Sequence, residues 1–136
     1  MNKRIALLVT LCASVASASA ATLTSNDKDQ KYAEFVATEK LSDIDKISSF
    51  KFRNWTGLTD NYLLVRDTKK QDYLIELSAR CYGLNKVKAI KLNRSSNFSL
   101  DAQHDTISLI GKTNDECRIE SIFPVNAEQY LALSNV

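Results

Sequence analysis

Asp101, His104 and Asp105 form the one local cluster in this chain able to do acid–base work. A carboxylate beside an imidazole can fix its tautomer and stabilise the charge it gains as a general base. A hydrolase built on His104 with Asp101 or Asp105 would still need a nucleophile. No Gly-x-Ser-x-Gly elbow and no His-Glu-x-x-His helix is present, and the 3 glycines form no phosphate-cradling loop. The simpler reading makes Asp105 the cap of a strand start and His104 an exposed turn residue. No catalytic residue is assigned, and no cofactor is implied.

Cys81 and Cys117 are the other reactive pair. What they do depends on the compartment, and the N-terminus addresses that. Lys3 and Arg4 precede an apolar stretch, Ile5–Ala16, that is too short to span a bilayer. Ala18-Ser19-Ala20 then supplies the small residues of a cleavage site. Residues 1–20 read as a cleavable signal peptide, cut after Ala20. The alternatives are an uncleaved anchor or a lipid-carrying Cys12. Leu11, directly before Cys12, is not the small residue a lipidation site needs. Export places Cys81 and Cys117 in an oxidising compartment, where a disulfide is the natural state. A metal site using both sulfurs and His104 stays open as the sharper alternative, although it lacks paired Cys-x-x-Cys spacing. No metal is assigned.

Without the signal, 116 of the 136 residues remain, enough for one domain and its core. Lys3 and Arg4 leave with it, so the 18 basic residues become 16 and match the 16 acidic ones. A neutral chain gives no electrostatic reason to expect nucleic acid or an anionic membrane. No later stretch is long and apolar enough to cross a bilayer.

The elements that would position these residues are mostly strands. Residues 21–46 read as a polar segment with a short helix over Lys31–Lys40, presenting Tyr32, Phe35 and Val36 on one face. Asp43 and Asp45 there read as solvated surface, because no cation-binding loop follows. Ile47–Trp55 alternates loosely and slips phase near Asn54, which predicts a strand with a bulge. Tyr62–Val65 and Tyr73–Leu77 are apolar runs joined by charged Thr68–Asp72, a hairpin that leads directly to Cys81. Val87–Leu92 is a strand carrying Lys88 and Lys91, with Lys86 just before it and Arg94 just beyond. Its basic side could line a groove, but without interleaved aromatic residues it reads as a solvated face. Asp105–Ile110 and Glu116–Phe123 are strands around a turn at Gly111–Asp115, with a second phase slip before Ile122 and an end at Pro124. Asn126 and Gln129 form a capping box that predicts a helix over Ala127–Leu133, docked by Tyr130, Leu131 and Leu133. The pattern predicts an α+β chain, predominantly antiparallel β: a small curled sheet or partly closed barrel of five to six strands, with short helices at its two ends. Residues 47–136 would form a single disulfide-bridged domain.

Trp55, the run Tyr73-Leu74-x-x-Leu77-x-x-x-Cys81-x-x-Leu84, Asp105-x-Ile107 and Cys117-x-Ile119-x-x-Ile122 together resemble a family of short exported proteins of Gram-negative bacteria. That family is known only as a domain of unknown function. The resemblance spans Ile47–Ile122 and implies an envelope location and a Cys81–Cys117 pair. Its motifs are core and disulfide positions, so it carries no catalytic residues over. The expected protein is therefore a periplasmic or secreted non-catalytic module that binds an envelope partner or small ligand. The alternative is the small hydrolase on His104.

Overall fold

A computed structural model describes residues 24–111 and 116–136. The expected signal at residues 1–20 lies outside them, as does all of the expected turn Gly111–Asp115 except Gly111. In chain order the elements are α1 (Ser25–Thr38), β1 (Lys46–Ile47), β2 (Phe52–Gly57), β3 (Tyr62–Asp67), β4 (Asp72–Leu77), β5 (Ile90–Asn93), β6 (Leu100–Asp101), β7 (Thr106–Leu109), β8 (Glu116–Val125) and α2 (Ala127–Ser134). Six strands form one antiparallel sheet in the order β2-β3-β4-β8-β7-β5, curled into a half-barrel, while β1 and β6 pair separately. The fold is the α+β arrangement expected from the sequence, with a helix at each end of the described chain.

The β3–β4 hairpin is apolar on both faces because both are covered. Leu63, Val65 and Ile75 point into the curl, where they meet Phe50, Leu84, Leu100, Ile107 and Ile122. Tyr62, Leu64 and Leu74 point outward and are covered by Tyr32 of α1 and Leu133 of α2. A strand buried on both faces reads as a continuous apolar run rather than an alternation. Arg66 and Asp72, opposite each other at the hairpin's end, close it with a two-point ion pair at 2.6 and 2.9 Å.

α1 begins six residues earlier than the pattern predicts. Thr24 and Asp27 form a capping box, and they satisfy the free N–H groups of a polar first turn. Both phase slips expected in the strands are present. The β2–β3 register shifts between Phe52 and Asn54, and the β4–β8 register shifts between Glu76 and Leu77.

Two local expectations are corrected. β8 does not stop before Pro124, which pairs with Tyr73. Ile122 turns its N–H and C=O away from β4, toward Asp43 and the Ile44 N–H. Pro124 lies two residues further on and shares that open side, so its missing N–H removes no ladder bond. Asp43 is exposed, as expected of solvated surface, and also accepts hydrogen bonds from Ser121 and Ile122 beside the bulge of β8. In α2, Leu133 is fully buried but Leu131 is 60% exposed, so Leu131 does not dock the helix.

Candidate functional site

β8 changes partner along its length. Ile119–Val125 pairs with β4, whereas Glu116–Arg118 pairs with β7. Cys117 lies in the second part and is bonded to Cys81, with Cα atoms 5.8 Å apart. The pair is a disulfide, the state expected for an exported chain and from the family resemblance, so neither sulfur serves as a metal ligand or nucleophile. The Ser78 N–H donates to the Arg118 carbonyl just beyond the last β4–β8 pair. The disulfide thus pins the point where β8 leaves β4.

The change of partner divides the outer face of the sheet in two. Helices α1 and α2 cover the β3–β4–β8 part. Among the described residues the β5–β7–β8 part is uncovered and polar, in two registered rows: Lys91–Ser108–Glu116 and Asn93–Thr106–Arg118. A shallow groove of about 570 Å³ lies on this part. Its floor includes Lys91, Asn93 and Thr106, and its rims are the Arg94–Asn97 loop and His104. That volume falls within the range of small-molecule sites. Lys91 and Arg94 thus line a groove where strand alternation alone predicts a solvated face, and Lys86 and Lys88 lie outside its lining.

Asp105 is buried, and it builds the site. One carboxylate oxygen accepts from the Ser95 N–H at 2.9 Å and the Ser95 hydroxyl at 3.1 Å. The other accepts from the Asp101 N–H at 2.7 Å. Asp105 therefore ties both rims together, a larger role than capping the start of β7. Asp101 in turn accepts from the Gln103 N–H at 2.8 Å and the His104 N–H at 3.3 Å, which shapes the turn. Its carboxyl is held below the ordinary range, chiefly by the Gln103 N–H and with help from His104. The His104 Nδ1 stands 3.3 Å from Asp101, and the ring is mostly exposed.

Asp101, His104 and Asp105 are thus close in space, but their roles differ from those of a catalytic set. Ser95 has one hydroxyl hydrogen, and it is donated to Asp105 rather than to an imidazole base. Among the described residues, no group of three or more acidic, His or Cys side chains is arranged to hold a metal ion. Nor is any helix among them long and apolar enough to cross a membrane.

Sequence reasoning alone missed the floor residues Asn93, Thr106 and Glu116. The signal was the polar phase of β5 and β7, where Lys91 and Asn93 alternate with Ile90 and Leu92, and Thr106 and Ser108 with Ile107 and Leu109.

The fold defines a small antiparallel half-barrel with one open polar face. The chain belongs to DUF6491, a family of unknown function, which matches residues 1–135. No curated protein and no solved structure matches the chain.

Proposed function

We propose that this protein is a non-catalytic binding module of the bacterial envelope that engages its ligand through the open outer face of β5, β7 and β8. The observation that carries the proposal is the pre-built groove. Its rims are fixed to each other through buried Asp105 before any ligand arrives. Rigid rims lower the ordering cost of binding. The hydrolase alternative on His104 has less support, because the nearby Ser95 hydroxyl is committed to Asp105.

A periplasmic or secreted location is supported by the disulfide, which persists in oxidising compartments, and by the signal-like residues 1–20. Mass spectrometry of the envelope fraction should find an N-terminus at Ala21. An intact Met1 or a diacylated Cys12 would contradict export with cleavage.

The binding reading is tested by amide NMR of the disulfide-bonded protein titrated with the small-molecule fraction of a periplasmic extract. Saturable shifts should cluster at Asn93, Ser95, His104 and Thr106. Shifts confined to α1 and α2, or none at all, would overturn it. So would hydrolysis of a chromogenic ester or phosphoester that disappears in His104→Ala.

A further inference from the structure

The open face is electrically uneven. Lys91, Arg94 and His104 surround the groove, and Glu116 is the one acidic residue in its lining. Arg118 adds a further cation at the end of the neighbouring row. Among the described residues the ion pairs are Arg66–Asp72 and His104–Asp101. Within that set, neither Lys91 nor Arg94 is neutralised by a carboxylate.

Arg94 is anchored without being neutralised. One guanidinium nitrogen donates to the Phe50 carbonyl at 3.0 Å, and the group lies 5.8 Å from the centre of the Phe50 ring. A guanidinium carries five N–H donors in a rigid fork, so one hydrogen bond fixes its place and leaves donors to spare.

The neutral floor is also set up to donate. The Asn93 side-chain amide gives its two hydrogens to the hydroxyls of Thr106, at 3.1 Å, and Ser108, at 2.7 Å. Of the two, Thr106 lines the groove; its hydroxyl already accepts a hydrogen bond, and its own hydrogen is left to offer to a ligand. A hydroxyl donor on the floor between Lys91 and Arg94 suits ligand oxygens that accept hydrogen bonds.

Lys91, Arg94 and His104 are spread too widely for one small anion. Ser108 is the register partner of Lys91, and His104 lies four residues before it. The ladder pairs Lys91–Ser108 and Asn93–Thr106 lie about 6.6 Å apart along the strands, and Arg94 and His104 follow beyond the second pair, farther from Lys91 than a single carboxylate or phosphate reaches.

We infer that the groove binds a soluble ligand carrying two or more acidic groups, one held at the Lys91 end and one between Arg94 and His104. The inference rests on the binding reading above and names its ligand chemistry. Carboxylate and phosphate would both satisfy these donors.

The test is amide NMR titration of the disulfide-bonded protein at constant ionic strength, using citrate, pyrophosphate, acetate, inorganic phosphate and neutral maltotriose. Citrate or pyrophosphate should shift Asn93, Ser95, His104 and Thr106 saturably, at least tenfold more tightly than acetate or inorganic phosphate. Which of the two binds more tightly identifies the acidic group. Lys91→Gln and His104→Gln should each weaken binding severalfold to tenfold. Lys88→Gln removes one charge outside the lining and should change it by less than twofold. Shifts of the same amides by maltotriose and not by citrate or pyrophosphate would overturn the acidic ligand and leave the binding reading standing. Equal loss of binding in Lys88→Gln and Lys91→Gln would reduce the effect to net charge and overturn the site. Silence with all five probes would also overturn it, as would co-sedimentation with phosphatidylglycerol vesicles without citrate or pyrophosphate binding, which would assign the face to a membrane surface.

Discussion

Asp105 and Ser95 are joined twice, the backbone N–H and the hydroxyl of Ser95 both donating to one oxygen of the Asp105 carboxylate. The second oxygen holds the Asp101 N–H. Removing the carboxylate leaves the Ser95 and Asp101 N–H groups without their acceptor in part-buried hydrogen bonds. Asp105→Ala should therefore cost about 2–4 kcal/mol, the scale of losing charge-assisted hydrogen bonds and leaving their donors unpaired. Urea unfolding measures this directly. A loss below about 0.5 kcal/mol, the scale of an ordinary surface substitution, would mean that Asp105 is not a structural clamp.

The disulfide fixes the place where β8 leaves β4, and it closes a loop with a sequence separation of 36. Replacing Cys81 and Cys117 together with Ala should cost about 2–5 kcal/mol. The denatured, unreduced wild-type protein recovered from its own compartment should show no titratable thiol at either position. Two free thiols there would contradict the bridge.

Arg66 meets Asp72 through two nitrogen–oxygen contacts, and its guanidinium also lies 4.8 Å from the centre of the Tyr130 ring in α2. Asp72 is nearly buried, whereas Arg66 is partly exposed. Arg66→Ala would leave that carboxylate without its partner and loosen α2, at a cost of about 2 kcal/mol. Arg66→Lys should recover less than half of the loss, because a single ammonium cannot reproduce the fork or the stacking. Full rescue by Lys would show that charge alone matters.

Burial pushes the Glu76 carboxyl above its ordinary range. The nearby Glu120, Asp43 and Asp29 push the same way, while the hydrogen bond with the Tyr62 hydroxyl opposes them. The folded state therefore holds the proton more readily than the unfolded chain. Stability contributed by this group falls as pH rises from about 4.3 through the folded value, then levels off. Glu76→Gln keeps an acceptor for Tyr62 and removes the charge. Its melting temperature should exceed that of the wild type near pH 7.5, and the difference should close below about pH 4. A gap that is the same at both pH values would exclude the burial of charge as its cause.

The strands of the six-stranded sheet, both bulges and the C-terminal capping box were legible in the sequence because each is a local matter of alternation, phase or short-range hydrogen bonding, whereas the two-residue strands β1 and β6 are too short to leave a pattern. The early start of α1 was hidden: Ser25–Gln30 is polar, and only the Thr24–Asp27 box marks it as helical. The passage of β8 through Pro124 depends on which edge of the strand is open, which no local pattern encodes. The candidate site was half visible. The sequence shows Asp101, His104 and Asp105 together, but not that Asp105 faces Ser95, ten residues away across the loop. Nor does it show that Lys91 and His104 share one groove, since that follows from the pairing of β5 with β7.

Asp105 is the keystone of the groove, and amide hydrogen exchange of Ser95 and Asp101 tests it most directly, in wild type and in Asp105→Asn. The Asn side chain replaces one acceptor oxygen with an amino group that faces a backbone donor. In wild type both amides should exchange slowly. In Asp105→Asn at least one should exchange at least tenfold faster, while core strand amides such as Ile75 keep their protection. Fast exchange of both amides in the wild type, or unchanged protection in the variant, would contradict a groove held open by this one carboxylate.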